Sequence, residues 1–326
     1  MKSQHIPRID LQRLNPDVGI NTRVAAAIQS ACQEAGFFTI TEHGVPEQVL
    51  NACRDNALKF FRLPSKRKME VRLTSPRSPY GFSAMAQEAL ARSRGNQTPP
   101  DLKESFSIGP PKPTARPIDP EEAAFISTPN RWPKQPKDFR DTFETYYQAM
   151  RHLAEYLMRL FAIGLELPDT YFTNHTQNPI SALRANYYPP LSTNPLPNQL
   201  RAGAHSDYGT LTILMQTNCK ESLEIQNRSG KWIPVAAKSP ELIVNIGDLM
   251  ARWTNNKWVS SLHRVVIPTD GIGRQSERLS LAYFHQPDWD ADICCIPSCV
   301  TPGEEPIYPP ITSGRYLMKK FHSTVA

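Results

Sequence analysis

Nowhere in the 326-residue chain do about twenty apolar residues run together, so the sequence offers no membrane-spanning helix of ordinary length. The opening MKSQHIPRIDLQRL has no apolar core and does not read as a secretory leader. Cysteine is sparse. Cys32, Cys53, Cys219, Cys294, Cys295 and Cys299 show neither the paired spacing of a zinc site nor a disulfide-rich pattern. The CCIPSC stretch has no second cluster to complete a metal cage, and it reads as free thiols in a reducing compartment. Cytoplasmic residence is the expectation. Long Lys/Arg runs are missing too: the net charge of +6 and pI near 9.0 come from scattered basic residues, which argues against a nucleic-acid partner.

What is present is an ordinary globular composition, with length for one large domain or two small ones. IPRIDL reads as a short strand, and Thr22–Ala35 as an amphipathic helix with Val24, Ala27, Ile28, Ala31 and Cys32 on one stripe, stopped by Gly36. FFTITEHGV follows as a strand. Glu47–Phe61 is a second helix whose Leu50, Cys53, Ala57 and Phe61 repeat at helical spacing. His43, in the turn between them, is assigned a structural role. Lys66–Ala84 reads as a loop ending in PYGFS, whose Tyr80 and Phe82 are candidates to face a site.

Eight prolines between Gly109 and Lys137 preclude continuous helix or central strand, leaving an irregular connector or, alternatively, a lid. Asp138–Leu165 is a long helix, its Phe139, Phe143, Tyr146, Tyr147, Met150, Leu153, Leu157, Leu160 and Phe161 stripe serving as core. Beyond Ile180 come short apolar or alternating runs separated by turn residues: TLTILMQ, SLEIQ, KWIPV, ELIVNIG, WVSSLHRVVIP and RLSLAYFHQ. So many short strands indicate a β-sandwich or barrel, of which the cupin-like jelly roll is one form. The expected division is an N-terminal α/β region over 1–108, the proline-rich segment 109–137, and a helix-plus-barrel domain over 138–326.

Within RAGAHSDYGTLTILM, His205 and Asp207 stand two apart on an expected strand and so project to one face. Alone, such a pair also reads as ordinary hydrogen-bonding partners. With His263 of SLHRVV as third donor, it becomes the two-histidine, one-carboxylate set that leaves half of an octahedral metal open. Arg278 and Ser280 of ERLSLAYFHQ share a face, as do Arg184, Asn186 and Tyr188 of LRANYYPP. A guanidinium beside a hydroxyl suits the far carboxylate of a dicarboxylate such as 2-oxoglutarate. Taken singly, Arg278 also reads as a surface ion-pair partner and Tyr188 as a half-buried strand aromatic.

The ordered set NYYPP, HSD, LHRVV and RLS resembles the 2-oxoglutarate- and iron(II)-dependent dioxygenases of the isopenicillin N synthase-like superfamily, and IPRIDL, GFFTITEHGVP and LKFFRLPSKRK extend the likeness to its N-terminal domain. KESFSIG, GDLMARWTN and the terminal SGRYL are most similar to its thymine 7-hydroxylase-like members. The resemblance implies a double-stranded β-helix flanked by helices. It implies Fe(II) on His205, Asp207 and His263, with 2-oxoglutarate and O2 as cosubstrates. Arg278 and Ser280 would hold the distal carboxylate, helped by Tyr188 and Asn186. The implied reaction hydroxylates an unactivated C–H, with succinate and CO2 as coproducts; desaturation, ring closure and demethylation begin from the same chemistry. Asp207 argues against halogenation, because in related halogenases that position carries a small residue.

For the substrate, a small molecule is implied, either a planar heterocycle or a secondary metabolite, with no obligate protein partner. Phe284 matches an aromatic that stacks on the base in the thymine hydroxylase, and reads equally as barrel core. Arg184 serves cosubstrate or substrate. Two other readings stay open from the sequence: an iron oxidase of the same fold that needs no 2-oxoglutarate, and a non-catalytic metal-binding or ligand-sensing barrel.

Overall fold

The computed structural model describes residues 5–12, 21–75, 78–95, 98–111, 120–217, 222–268, 273 and 276–325. Strand β1 (Arg8–Asp10) leads to helix α1 (Thr22–Glu34), whose first turn is capped by Asn21 Oδ1 accepting from the amides of Arg23 and Val24. The buried stripe of α1 is Val24, Ala25, Ile28, Ala31 and Cys32. Ala27 faces solvent instead, because Ala25 completes the inward face at a spacing of three from Ile28. Gly36 ends the helix turn at φ +63, and a Cβ there would sit 1.9 Å from the Val259 carbonyl oxygen, so only glycine fits. After β2 (Phe37–Thr41), His43 accepts from the Val45 amide through Nδ1 and donates Nε2–H to Pro240 O, a structural tie.

Helix α2 spans Glu47–Phe61 and α5 spans Phe139–Gly164. Both α1 and α2 pack across α5, whose aromatic stripe is fully buried. Lys66–Ala84 is more ordered than a loop. A short helix α3 (Ser65–Met69) sits where Pro64 fixes the entry, and β3 (Gly81–Ser83) pairs with β4 (Glu104–Ile108). The proline-rich stretch likewise holds a two-turn helix, α4 (Pro120–Ile126), because its first proline occupies the helix start, where no amide is needed. Residues 112–119 of that stretch, and Cys219, lie outside the described residues.

The remaining strands are β5 (Ala182–Tyr188), β6 (Ala202–His205), β7 (Leu211–Gln216), β8 (Leu223–Gln226), β9 (Trp232–Pro234), β10 (Leu242–Ile246), β11 (His263–Val265), β12 (Arg278–His285), β13 (Asp292–Ile293) and β14 (Ile311–Thr312). An eight-stranded sheet runs β1-β2-β10-β7-β12-β5-β4-β3, and a four-stranded sheet runs β6-β11-β8-β9. Phe37, Tyr188 and Ile243 from the first pack with Ala202, Leu223 and Val265 from the second, which makes the two sheets the walls of a jelly roll. Helix α6 (Asp248–Trp253) follows β10, and α7 (Ser313–Val325) closes the chain. Among the described residues, no helix is long and apolar enough to cross a membrane.

Candidate active site

Strands β6 and β11 pair antiparallel with His205 opposite His263, which brings their rings to 4.3 Å between centroids. Each ring donates Nδ1–H to the carbonyl two residues upstream, His205 to Gly203 O at 2.8 Å and His263 to Ser261 O at 3.3 Å. That bond fixes the ring orientation and turns both Nε2 atoms inward as the ligating positions. Asp207 is not on the strand. β6 ends at His205, and Asp207 lies in the turn toward β7, where its carbonyl accepts from the Asp248 amide. Its side chain still comes back beside the histidines because Oδ2 is tied by Thr212 Oγ1 at 2.6 Å and Asn245 Nδ2 at 2.7 Å. Oδ1 then stands 3.5 Å from Nε2 of His263 and 4.0 Å from Nε2 of His205.

The three donor atoms lie within 4.8 Å of one another. Two imidazoles and an ionised carboxylate are the donor set a divalent first-row metal accepts. Burial, reinforced by the neighbouring imidazole, pushes His205 down to about 3, so its ring is neutral and ready to ligate. Burial would raise Asp207, but the two histidines and the Thr212 hydroxyl outweigh it and hold the carboxyl well below its usual range. His263 is raised, since the facing Asp207 overcomes the effect of burial; a metal would take the place of that proton beside the carboxylate. The residues therefore fit an iron(II) ion.

Beside this cluster, β12 and β5 pair so that Arg278 opposes Tyr188, Ser280 opposes Asn186, Ala282 opposes Arg184 and Phe284 opposes Ala182. Arg278 is 3% exposed. It donates to Gln216 Oε1 at 2.8 Å and to Ser280 Oγ at 3.4 Å, lies over the Tyr188 ring at 4.9 Å, and leaves Nε without a partner. No carboxylate of the described residues pairs with it, so this buried cation awaits an anion rather than sharing a surface ion pair. Asn186 Oδ1 is also buried and unpartnered.

Arg184 is engaged differently. Its Nη atoms donate to both oxygens of Glu88 at 3.0 and 3.2 Å, and its Nε to Ser107 Oγ at 2.8 Å. Lys103 Nζ reaches the same Glu88 at 3.0 Å. Asp101 accepts from the Leu90 and Gly203 amides and so fastens the Glu88 segment to β6. Burial alone would raise Glu88, but the two cations hold it down at about 2.

All the residues singled out from the sequence line one cavity of about 650 Å³: the metal-type triad, Arg278, Ser280, Tyr188, Asn186, Arg184, Phe284 and Tyr80. Phe284 is half-buried on its wall, and Tyr80 packs on Gly109, where a Cβ would meet the phenol ring at 2.1 Å. Sequence reasoning missed Thr212, Asn245, Gln216, Glu88 and Lys103. Asn245 carried a signal, as a lone amide in the apolar strand LIVNI. Glu88 carried none, since it sits in an irregular stretch. The cavity is roofed by Phe125 of α4 with Leu317 and Phe321 of α7. Glu122 holds that roof together, accepting from Trp289 Nε1 at 3.0 Å and facing Arg315 at 3.3 Å.

Residues 6–135 match the family described as non-haem dioxygenase in morphine synthesis N-terminal, and residues 179–287 match the 2OG-Fe(II) oxygenase superfamily. The chain is 32% identical to the 2-oxoglutarate-dependent dioxygenase caaD of Aspergillus niger, over 97% of this chain and 92% of that one. It is 30% identical to the homoarginine-6-hydroxylase 2-ODD-233 of Oryza sativa, over 91% and 88% of the two chains. Among solved structures it resembles the full-length thymine 7-hydroxylase of Neurospora crassa in complex with alpha-KG and thymine, with a TM-score of 0.84, 29% identity, and 99% and 98% of the chains covered.

Proposed function

The chain belongs to the 2OG-Fe(II) oxygenase superfamily and is an iron(II)- and 2-oxoglutarate-dependent dioxygenase; on that premise we propose that His205, Asp207 and His263 hold the iron and that Arg278, Ser280, Tyr188 and Asn186 hold the cosubstrate. The observation that carries the metal assignment is the orientation of three donors by second hydrogen bonds. Gly203 O, Ser261 O, Thr212 and Asn245 occupy the other sides of the triad and leave two Nε2 atoms and one Oδ1 turned together. The iron, when bound, couples oxygen activation to conversion of 2-oxoglutarate into succinate and CO2 as a substrate C–H is oxidised.

The chain's own residues orient the partners. Arg278 offers its free Nε edge, with the Ser280 hydroxyl beside it, to the distal carboxylate, while Tyr188 lies against the guanidinium. Farther along the same strands, Arg184 is fixed by Glu88 and Ser107, so it meets the substrate with little freedom left to lose. Asp207 and Glu88 are the carboxylates on the described cavity wall, and both are already matched by donors. This disfavours a cationic substrate and favours a neutral or anionic one that presents acceptors to Arg184.

Phe284 supplies an aromatic face beside Arg184, which suits a planar heterocycle, and Tyr80 adds a second ring to the wall. In this reading 138–326 supplies the triad and most strands of the jelly roll, 1–108 adds β1–β4 and the wall bearing Glu88 and Tyr80, and within 109–137 the helix α4 serves as a lid through Phe125. The unpaired thiols of the described cysteines suit a reducing compartment such as the cytoplasm.

The test is anaerobic titration of iron-loaded protein with 2-oxoglutarate, followed through the visible charge-transfer band of the chelate, and then succinate release with neutral heterocycles against cationic amines. A band that survives in Asp207→Ala would remove the metal assignment. Turnover confined to cations would remove the substrate class.

A further inference from the structure

Arg201, at the entry to β6, is 1% exposed and ranks with the largest side chains wholly inside the protein. Its backbone amide bonds Val265 O, and its Nη1 donates to Pro189 O at 3.1 Å, while Nε and Nη2 are buried without partners. Its guanidinium carbon lies 6.0 Å from the centre of the Tyr188 ring, and that of Arg278 lies 4.9 Å from the same centre. Tyr188 faces the cavity; Arg201 stands behind the wall that Tyr188 forms.

Two buried guanidiniums thus share one tyrosine, and among the described residues neither has a carboxylate partner. A buried charge without a counter-charge is costly, and a second of the same sign nearby adds repulsion. Burial, then the charge of Arg278 acting against the help of Tyr188, pushes Arg201 down to about 10. Arg278 alone would suffice to pair one carboxylate. The second cation makes this end of the cavity require an anion more strongly than a bidentate contact demands.

We propose that Arg201 is a positioning residue for the cosubstrate: from behind Tyr188 it acts with Arg278 to draw the distal carboxylate of 2-oxoglutarate into this end of the cavity, and to discriminate against 2-oxo acids that lack one. This rests on Arg278 being the carboxylate anchor. Arg201 has no wall position from which to touch the ligand, so its action is through the field it adds. At roughly 10 Å and the effective dielectric of a protein interior, that field corresponds to about a tenfold change in affinity.

The experiment compares the full-length, iron-loaded protein with Arg201→Met, Arg201→Gln, Arg201→Lys and Arg278→Ala under anaerobic conditions, measuring dissociation constants for 2-oxoglutarate and for pyruvate by calorimetry. The melting temperature of each protein without 2-oxo acid is measured in parallel. Arg201→Met is expected to weaken 2-oxoglutarate binding about tenfold, leave pyruvate binding unchanged, and raise the melting temperature, since a buried uncompensated charge has gone. Arg201→Gln, which keeps a donor for Pro189 O, should show the same loss should the Met variant not fold, and Arg201→Lys should retain most of the affinity. Wild-type 2-oxoglutarate affinity in the Met or Gln variant overturns the inference. So does a lowered melting temperature with equal weakening toward both oxo acids, which would make Arg201 a strut to Pro189. If Arg278→Ala also binds 2-oxoglutarate normally, the anchor assignment itself falls.

Discussion

Glu88 accepts both arms of the Arg184 guanidinium, at 3.0 and 3.2 Å, across 96 positions of sequence. This ion pair ties the irregular segment before residue 95 to the middle of β5, and Lys103 closes it from a third side. Replacing Glu88 by Ala leaves the largely buried Arg184 without its carboxylate and Lys103 with only Asp101, at 3.9 Å, and the expected cost is about 3 kcal/mol of stability. Because Glu88 is held down at about 2, its stabilisation is fully present above the ordinary carboxylate range and declines as pH falls from that range through the folded value. Denaturation of Glu88→Ala and wild type at about pH 7, about pH 6 and about pH 3 checks this. The stability difference should be equal at the first two and smaller at the third. A difference that shrinks already by about pH 6 would contradict the depressed value.

Thr212 and Asn245 stand opposite each other on β7 and β10, and both hold Oδ2 of Asp207. Thr212→Val or Asn245→Leu should weaken iron(II) binding roughly tenfold to a hundredfold by freeing the carboxylate to rotate. Calorimetric iron titration of the apoprotein reads this directly. Unchanged affinity in both variants would mean that Asp207 is oriented by the backbone turn alone.

Iron loading should depend on pH through one histidine. In the iron-free protein Asp207 outweighs burial and His263 holds its proton to higher pH than an ordinary imidazole, while burial pushes His205 down to about 3. Metal must displace the His263 proton, so iron affinity should fall about tenfold per pH unit below the His263 value, with release of one proton and not two. Buffer-dependent calorimetry counts the protons. Two released at about pH 5.5 would show that His205 is also charged.

Arg278→Ala is expected to retain iron and lose cosubstrate. It removes the cation but leaves His205, Asp207 and His263 in place, so the 2-oxoglutarate concentration for half-maximal turnover should rise at least about tenfold, in line with the loss of a charge-assisted pair. Each of His205→Ala, Asp207→Ala and His263→Ala should lose iron and turnover together. Turnover that survives in all three would show that the metal lies elsewhere.

The elements legible in the sequence were those whose periodicity is set by burial. Helix α2 matches its apolar spacing at both ends, and α5 does so within a residue. The site was legible where strand alternation carries it, as in Arg278 with Ser280 and Asn186 with Tyr188, because a period of two survives any detail of loops. Asp207 comes beside the two histidines for a reason alternation does not contain, namely two hydrogen bonds made beyond the end of β6. Glu88 was invisible because long-range ion pairing leaves no local pattern. Helix α7 escaped notice because Leu317, Met318 and Phe321 face a small satellite cluster with Trp289 and Phe125, and among the described residues only Tyr316 of its apolar positions reaches the main core.

On the proposed assignment, the pairing of β5 with β12 works as a ruler laid from cosubstrate to substrate. Its rungs on the cavity side are Tyr188 with Arg278, Asn186 with Ser280, Arg184 with Ala282, and Ala182 with Phe284. Successive rungs are about 7 Å apart, a spacing set by backbone geometry and indifferent to side chains. The two upper rungs can therefore stay constant while the two lower ones are exchanged, and a new substrate can be fitted without disturbing the Arg278–Ser280 end. Two of the four lower positions are alanines, Ala182 and Ala282, so the lower half of the ruler is where this chain has room to change.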